Sequence, residues 1–446
     1  MTRITVKAVA ALLALLSLAV SFVAAKPAFG NRTLVVLDQV SREYEFGQLI
    51  SSLKGRGHEL TVKAATSDLN LVEYEERNYD HLLVLAPKIS SFGGPLGVGA
   101  VLEFIDKGGN VLVATSSDIS EAVRDLAIEF SVDFEEKGTA AIDHFHASAD
   151  DHTLFATKHV ASTPVAPWLP SIAPVLYKGV AHRLTGKNPL VKALLTGSAS
   201  TYSEEPKGSG FAPNTLVGTA VTLVSGLQAR NNARVMFAGS VEMFSDRLFD
   251  SPVLVDGRQQ YPKSGNEEFV TYITDWVFQE VGVLRVERTK HHRKGETDQH
   301  GIYRIKDDMV YELDVSEWHH RAWRSFKTSD LQFEAVMLDP YIRTPLREVA
   351  NSTSNVVAKY EAHFKLPDNY GVFTFKVDYK RHGYSWLNQN ETVQVRPYRH
   401  DQYPRFLSAA WPYYVNAFSM IGGFFVFSAV FLYNREPVGK VKAKTT

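Results

Sequence analysis

The sequence of 446 residues contains no cysteine. This absence excludes disulfide bonds, thiolate metal sites and cysteine nucleophiles, so each domain must be stabilised by its own buried core. The sequence also lacks the nucleophile elbow G-x-S-x-G, the phosphate loop G-x-x-x-x-G-K-[ST] and the zinc-peptidase motif H-E-x-x-H. It therefore offers no catalytic, cofactor-binding or metal-binding motif.

A surplus of positive charge is missing as well. The 48 Lys and Arg residues are balanced by 49 Asp and Glu residues, whereas a nucleic-acid-binding protein carries a basic face. We therefore expect no nucleic acid among the partners of this chain. Its length is sufficient for about two or three domains.

A long uncharged apolar segment lies near the C-terminal end. No charged residue occurs between Phe406 and Asn434, and a helix of about 20 apolar residues spans the hydrocarbon core of a bilayer. Aromatic residues, which prefer the headgroup boundary, stand near both ends of this segment: Trp411, Tyr413, Tyr414 and Tyr433. We predict a transmembrane helix over residues 411–434 rather than a helix of a buried core.

Residues 1–25 have the layout of a cleavable secretory signal peptide. A basic opening, MTRITVK, precedes an apolar stretch, and Val23-Ala24-Ala25 supplies the small residues that a signal peptidase requires. Retention of this segment as a membrane anchor is the alternative. With cleavage, residues 26–405 are expected in the lumen of the endoplasmic reticulum and residues 435–446 in the cytosol, as in a single-pass type I membrane protein.

Short motifs add to this topology. Lys442 and Lys444 are the fifth and third residues from the end, a spacing that resembles the dilysine signal for return to the endoplasmic reticulum. An ordinary basic flank of a membrane helix is the alternative. Three N-x-[ST] sequons begin at Asn31, Asn351 and Asn390. All three lie on the predicted lumenal side, so each is a candidate for glycosylation.

Strands and helices alternate in the first part of the chain. Continuous apolar runs such as RTLVVLD and NVLVA are typical of strands covered on both faces, and segments of helical periodicity follow them. This order predicts an α/β domain over residues 26–283 with a mostly parallel sheet. Residues from about 145 to 215 are rich in Pro, Ser, Thr and Gly, and we expect them to form an insertion of loops and short strands.

The pattern changes near residue 284. Segments such as VVAKYEAHFKL and YGVFTFKVDY alternate apolar and polar residues, and turn-forming residues separate them. Short alternating strands at this spacing predict a small β-sandwich over residues 284–405, next to the membrane helix.

Polar residues follow several strands of the predicted parallel sheet. Open α/β sheets bind ligands beyond the carboxyl ends of their strands, so these residues predict a candidate crevice. Because Ser and Asp are also preferred as helix N-caps, capping of the following helices is the alternative. The residues of the candidate crevice are Asp38, Ser116, Ser117, Asp118 and Ser240.

Residues of metal-binding type cluster in the segment Asp143-His144-Phe145-His146, with further Asp and His residues shortly after it. The segment lies in loop-like sequence, where such residues are usually solvated. We therefore predict no metal site there.

Small and polar residues recur within the predicted transmembrane helix. Asn416, Ser419 and Gly423 are spaced i, i+3 and i+7 and so share one face, which Gly422 adjoins. Such a face permits close approach of a second helix and hydrogen bonds between helices. We predict a helix-packing face, the alternative being an ordinary anchor.

Several stretches resemble the family of the 48 kDa subunit of the endoplasmic reticulum oligosaccharyltransferase complex. The resemblance runs from Arg32 to the tail, and its longest and most unusual segments are GLQARNNARVMFAGSVEMFSD and KLPDNYGVFTFKVDY. Shorter segments agree as well: RTLVVLDQV, GGNVLVATSSDI, AAIDHFHA, LTGSASTYS, GVLRV, HHRKGET and WPYYVNAFSM.

This resemblance implies an amidotransferase-like α/β domain and a noncatalytic subunit that supports assembly and stability of the complex. In that family the complex transfers a preassembled oligosaccharide from dolichyl diphosphate to Asn in N-x-Ser/Thr acceptors. The implied partners are the catalytic subunit, which is a separate polytopic protein, the ribophorins and the small DAD-type subunit. The resemblance supplies no catalytic, cofactor or metal residue.

Two other functions remain open on the residues alone. A tethered lumenal hydrolase would use Asp38, Ser116 and Asp118, although the sequence indicates no general base near Ser116. A glycan-binding module would use the strand-end crevice or the β-sandwich.

Overall fold

The computed structural model describes residues 30–67, 69–88, 97–148, 151–160, 173–186, 188–204, 216–255, 258–349, 356–403 and 405–433. The predicted signal peptide, the sequon at Asn351 and the tail with Lys442 and Lys444 lie outside these residues. The described residues form an α/β part, a β-sandwich and one long apolar helix.

The α/β part begins with alternating strands and helices and ends with the helix that precedes the sandwich. Its strands are β1 (Arg32–Leu37), β2 (Glu59–Ala64), β3 (Val72–Glu73), β4 (Glu76–Arg77), β5 (His81–Leu85), β6 (Asn110–Ala114), β7 (Val132–Phe134), β8 (Ala140–Ile142), β9 (Ala147–Ser148), β10 (Asp151–Thr157), β11 (Val175–Tyr177), β12 (His182–Leu184), β13 (Val191–Thr196), β14 (Tyr202–Glu204), β15 (Thr222–Gln228), β16 (Arg234–Ala238), β17 (Val253–Val255) and β18 (Arg258–Tyr261). Its α-helices are α1 (Gly47–Gly55), α2 (Val98–Asp106), α3 (Glu121–Glu129), α4 (Asp246–Phe249) and α5 (Asn266–Val277).

A mixed sheet forms the centre of this part, in the order β2-β1-β5-β6-β16-β15-β12-β7, with β13 paired to β15. Its parallel strands are apolar on both faces because helices cover both sides. Val35 and Leu83 point into a core that contains residues of α1 and α5, whereas Leu34 and Leu82 point into a second core with residues of α2 and α3.

The hairpin of β15 and β16 changes the sheet from parallel to mixed. β16 pairs parallel with β6, whereas β15 returns antiparallel to β16. Asn232 in the turn between them has a φ of 68°, a left-handed conformation that Asn tolerates better than most residues. The predicted α/β class is confirmed, but the sheet is mixed rather than mostly parallel. Its parallel pairs join β2, β1, β5, β6 and β16, whereas β15, β13, β12 and β7 pair antiparallel.

Small sheets surround the central one. Within residues 145–215, the described residues form the short strands β9 to β14. Three of them, β9, β10 and β11, make an antiparallel sheet, and β14 pairs with β8.

The β-sandwich consists of two five-stranded sheets. Its strands are β19 (Val281–Arg293), β20 (Ile302–Arg304), β21 (Asp308–His319), β22 (Ala322–Ser325), β23 (Gln332–Met337), β24 (Asp339–Pro345), β25 (Arg347–Glu348), β26 (Ala358–Lys365), β27 (Gly371–Tyr379) and β28 (Leu387–Arg396). One sheet contains β19, β21, β22, β25 and β26, and the other contains β20, β23, β24, β27 and β28. Side chains from both sheets, such as Tyr311, Phe333 and Phe375, share one core.

The first strand of the sandwich was not expected from the sequence. β19 runs for 13 residues and contains the predicted boundary between residues 283 and 284. Its first four residues are buried, whereas most of the others are exposed or half-buried. Because only its start is apolar, the alternation that marks the other strands is missing from most of its length.

The long apolar helix is α6 (Trp411–Tyr433). Within the described part of the chain, it is the one helix whose length and composition allow it to cross a membrane. None of its residues is buried against the rest of the chain, as expected of a helix whose surroundings are lipid or other proteins.

Candidate functional site

The predicted crevice lies at one edge of the central sheet. β1, β5, β6 and β16 run parallel, so their carboxyl ends meet at this edge. Lys88, which follows β5, connects two of the predicted residues. Its backbone N–H donates to Asp38 Oδ1 over 3.3 Å, and its Nζ lies 3.3 Å from Asp118 Oδ2. The structure therefore brings Asp38 and Asp118 to the same lysine.

A cavity of about 400 Å³ opens beside Asp118. Charged side chains of both signs predominate in its lining. One wall is the N-terminus of α3, where Ser120 Oγ caps the helix by accepting from the Val123 N–H over 3.3 Å. The lining residues are Lys88, Asp118, Ile119, Ser120, Glu121, Arg124 and Lys137.

The remaining residues at the ends of β1 and β6 make local contacts. Ser116 Oγ accepts from the Asp118 N–H over 3.3 Å, and the Ser117 carbonyl accepts from the Gly138 N–H over 2.8 Å. Burial raises the pKa of Asp38 above its usual value. Its Oδ2 atom is buried and has no hydrogen-bond partner, so Asp38 is the most unusual carboxylate of this edge.

Ser240, the predicted crevice residue after β16, is fully buried. Its Oγ donates to the Lys178 carbonyl over 2.6 Å and accepts from the Met243 N–H over 3.1 Å. The second bond resembles a helix N-cap, the alternative considered for these residues. Ser240 thus fixes the segment after β16 and is not part of the cavity lining.

Asp143 is the centre of a buried polar cluster that the sequence did not reveal. Its carboxylate accepts from Ser198 Oγ, from Ser200 Oγ over 3.0 Å and from Thr201 Oγ1 over 3.0 Å. Two backbone N–H groups of the turn that follows it also donate to this carboxylate. The cluster joins the segments AAIDHFHA and LTGSASTYS, and the only signal for it was the density of hydroxyl residues in the second segment.

The charge of Asp143 is stabilised by these donors. Burial alone would raise its pKa, but the hydrogen bonds from Ser198, Thr201 and the backbone outweigh burial and hold the pKa at about 2. Among the residues that the structure describes, no three His, Asp or Glu side chains form a group that could hold a metal ion. Of the nearby histidines, His146 belongs to this cluster, since its Nδ1 lies 3.1 Å from Asp143 Oδ2, whereas His144 Nε2 lies 2.9 Å from the Tyr202 hydroxyl.

Arg234 connects the α/β part to the sandwich. It is fully buried at the start of β16, and its guanidinium lies 5.0 Å from the ring centre of Trp276. All its side-chain hydrogen bonds go to backbone carbonyls of α5, of the start of β19 and of the loop between β27 and β28. The acceptors are Trp276 at 2.6 Å, Val281 at 2.8 Å, Gly282 at 3.0 Å and Gly383 at 3.4 Å.

The turn before Arg234 strengthens the same junction. Gln228 Nε2 donates to the Tyr384 carbonyl over 2.6 Å, and Asn232 Oδ1 accepts from the Trp386 N–H over 2.6 Å. Asn231 Nδ2 donates to a carbonyl at the end of α2 over 2.7 Å. The segment GLQARNNARV, which carries part of the family resemblance, therefore contributes several contacts between the two parts.

A shallow cavity of about 610 Å³ lies on the surface of this junction. Two of its cationic side chains are already engaged, because Lys380 Nζ lies 3.8 Å from the ring centre of Trp386 and Arg381 Nε donates to Asp330 over 2.7 Å. The lining residues are Leu190, Gln228, Ala229, Arg230, Lys380, Arg381, His382, Tyr384 and Trp386.

The predicted packing face of α6 has free space around it within this chain. A side chain added at Gly422 or Gly423 would meet no atom within 4 Å. Ser419 Oγ donates to the Asn416 carbonyl over 2.8 Å, so its hydroxyl is satisfied within the helix. None of the residues that the structure describes packs on this face.

Two of the predicted sequons lie within the described residues. Asn31 Nδ2 donates to Glu59 Oε1 over 2.7 Å. Asn390 and Thr392 are both exposed and lie two residues apart on β28. Because residues i and i+2 of a strand share a face, the second sequon is presented on the outer face of its sheet.

Comparisons with known proteins agree along almost the whole chain. The family model of the OST48 N-terminal domain matches residues 24–280, and that of the OST48 middle domain matches residues 291–435. Three curated relatives are named dolichyl-diphosphooligosaccharide–protein glycosyltransferase 48 kDa subunit. The one from Arabidopsis thaliana is 41% identical over 413 residues, covering 91% of this chain and 93% of the relative. Those from Danio rerio and Caenorhabditis elegans are 42% and 39% identical, each covering 91% of this chain and 92% of the relative.

Proposed function

The chain belongs to the OST48 family, and we propose on this basis that its role in oligosaccharyltransferase is structural rather than catalytic. It is a subunit of this glycosyltransferase and takes part in protein N-glycosylation. The complex transfers a preassembled oligosaccharide from dolichyl diphosphate to Asn in N-x-Ser/Thr acceptors, and this chain supports its assembly and stability.

The contacts of the family-typical segments carry this proposal. The polar residues of GLQARNNARV, above all Arg234 and Asn232, bind backbone groups of the sandwich. Asp143 in AAIDHFHA binds hydroxyls of LTGSASTYS. These residues are directed toward other parts of the same chain, as expected of a subunit that presents a fixed surface to its neighbours.

We propose a single-pass type I topology in the membrane of the endoplasmic reticulum. In this arrangement α6 spans the bilayer, and the α/β part and the sandwich lie in the lumen. The length and composition of α6 and the exposed sequon at Asn390 support this orientation.

The partners proposed for this subunit are the catalytic oligosaccharyltransferase subunit, the ribophorins and the small DAD-type subunit. The open face of α6 around Gly422 and Gly423 supports contact with at least one membrane-embedded partner.

Native separation of membranes in mild detergent tests this function. Each fraction is probed for the chain and for oligosaccharide transfer to an N-x-Thr peptide. We expect co-migration of the chain with the activity in a large assembly, and loss of both assembly and activity when the chain is depleted. A chain that migrates near its own mass, with transfer activity in other fractions, contradicts the proposal.

A matched experiment separates the structural role from chemistry in the crevice. Complexes carrying Asp38→Ala or Asp118→Ala are expected to assemble and to transfer oligosaccharide at the normal rate. Loss of activity in an intact complex favours instead a lumenal enzyme or a glycan-binding module that uses the crevice.

A further inference from the structure

Three exposed apolar side chains lie together at one end of the β-sandwich. Leu338, Tyr370 and Val372 are 101%, 67% and 56% exposed. Met337 and Gly371 bring them together, because a Cβ atom on Gly371 would lie 2.7 Å from Met337 Sδ. These three side chains are termed the apolar tip: Leu338 lies in the turn between β23 and β24, and Tyr370 and Val372 flank Gly371 at the start of β27.

The strand register places the apolar tip at the end of the sandwich that faces away from the α/β part. Gly371 at the start of β27 pairs with Val395, and β28 ends one residue later at Arg396. The opposite ends of these two strands lead to Tyr384 and Trp386, which contact the α/β part. The chain therefore leaves the sandwich beside the apolar tip.

The segment after β28 is too short to carry the sandwich far from the membrane helix. Arg396 Nη1 donates to Gln402 Oε1 over 2.9 Å, which keeps the segment near the end of β28. Four residues later, the Phe406 ring lies 6.3 Å from the ring of Tyr414 in the first turn of α6. Four extended residues span at most roughly 14 Å, so this end of the sandwich lies close to the start of α6.

Two ion pairs lie beside the apolar tip, whereas the exposed Asp339, which follows Leu338, makes no ion pair with the described residues. Lys306 Nζ lies 2.7 Å from Asp368 Oδ2, and Arg304 Nη2 lies 2.9 Å from Asp307 Oδ1. Exposed Tyr and Leu side chains next to paired charges match the headgroup region of a bilayer, where aromatic rings prefer to lie. Contiguous exposed apolar groups mark a contact surface, whereas single ones do not.

We propose that the apolar tip rests in the headgroup region of the bilayer that α6 spans. This second contact fixes the tilt of the sandwich, and through the Arg234 junction the tilt of the α/β part, relative to the membrane plane. The inference rests on the proposed spanning topology of α6.

Site-specific fluorescence tests the contact. The absence of native cysteine makes each label unique within this chain, and a complex that contains the unmodified chain measures labelling of the other subunits. Leu338→Cys, Tyr74→Cys and Phe424→Cys are labelled separately with an environment-sensitive dye in the intact complex, in phosphatidylcholine nanodiscs. Tyr74 is a matched control, since it is 92% exposed and has a positive φ of 49°, as Leu338 has a φ of 66°. Phe424 lies near the middle of α6 and reports the span itself.

Nanodiscs with lipids that carry a quencher near the headgroup are compared with unlabelled ones. We expect the headgroup quencher to reduce the fluorescence at position 338 and not at position 74. A second lipid, which carries its quencher deep in the acyl chain, should reduce the fluorescence at position 424. Quenching at position 424 without quenching at position 338 overturns the tip proposal but supports the proposed span of α6. This holds also where a neighbouring protein covers position 338, because the apolar tip would then contact protein and not lipid. No quenching at 424 overturns the span and the tip contact together.

Discussion

Buried polar side chains connect distant segments of this cysteine-free chain. Arg234 binds the carbonyls of residues that are 42 to 149 positions away in sequence. Burial lowers the pKa of Arg234 to about 9, so the guanidinium stays charged at neutral pH and its hydrogen bonds are charge-assisted. Asp143 likewise connects distant segments within the α/β part, because its carboxylate accepts hydrogen bonds from several hydroxyl groups.

Replacement of Arg234 should loosen the junction. Arg234→Met is expected to lower the free energy of unfolding by at least about 2–3 kcal/mol, because buried carbonyl acceptors lose their donor. Urea unfolding of the purified chain measures this change. Arg230→Met removes an exposed arginine from the neighbouring turn and should change stability by less than about 0.5 kcal/mol. Equal losses in the two variants would contradict the assigned role of Arg234.

Asp143 should make the α/β part sensitive to acid. Its folded pKa of about 2 lies below the unfolded value of about 3.9. The carboxylate therefore stabilises the fold above the unfolded pKa, and this contribution, on the order of 2 kcal/mol, is lost as the pH falls from about 4 to 2. Across this pH range, the unfolding midpoint should fall less in Asp143→Asn than in the unmodified chain. The variant lacks the carboxylate, so it is already less stable than the unmodified chain at pH 7.

Asp118→Asn is the control for this pH experiment. The Asp118 side chain is 56% exposed and lies in an ion pair with Lys88 that is also exposed. Such pairs contribute little to stability, so the acid profile of this variant should match that of the unmodified chain. An unchanged profile in Asp143→Asn would show that other carboxylates control acid unfolding.

At the scale of single elements, α6 differs from every other helix of the described chain. Helices α1, α2, α3 and α5 each bury an apolar face against the central sheet, whereas α6 buries none of its residues in this chain. Its length and composition fit a helix surrounded by lipid or by partner helices. The small side chains on the face of Asn416, Ser419 and Gly423 would allow a partner helix to approach closely.

Enlarging this face should weaken the complex without harm to the subunit. Ser419→Leu and Gly423→Leu are expected to reduce co-purification of partner subunits in mild detergent, because the added side chains prevent close helix approach. Ser428→Leu is a matched control, since nine residues correspond to two and a half helical turns and place Ser428 on the opposite face. Equal co-purification of partners by all three variants would exclude this face as an interface.

At the scale of the whole molecule, the sandwich stands between the α/β part and the membrane helix. One end of its strands contacts the hairpin of β15 and β16, and the other end leads into α6. A change of orientation of the sandwich would therefore move the α/β part relative to the bilayer. The segment GLQARNNARV holds the sandwich against the α/β part, and the apolar tip is its proposed contact with the bilayer.

Glycosylation at Asn390 tests the lumenal position of the sandwich. The chain expressed in endoplasmic reticulum membranes should move faster in electrophoresis after endoglycosidase treatment, and Asn390→Gln should reduce this shift. Asn388→Gln, two residues earlier on the same face of β28 and outside any sequon, should leave the shift unchanged. If the sandwich were in the cytosol, Asn390→Gln would not change the mobility shift.

The sequence by itself determined the class of each part. Buried parallel strands require continuous apolar runs, sandwich strands require alternation, and a helix in lipid requires a long uncharged segment, so all three are visible locally in β1, β27 and α6. The family-typical segments, too, are contiguous and were sufficient to indicate the family. β19 was missed because most of its residues after the first four are exposed or half-buried and carry little apolar pattern.

Only the tertiary structure decided what the polar residues do. Ser240 and Asp118 follow strands of the same sheet edge, yet Ser240 is buried in backbone contacts while Asp118 lines a cavity. Asp143 meets Ser200 across 57 residues, and Arg234 meets Gly383 across 149. A hydrogen bond depends on the position of both partners, and strand order and packing set those positions, which no local pattern in the sequence records.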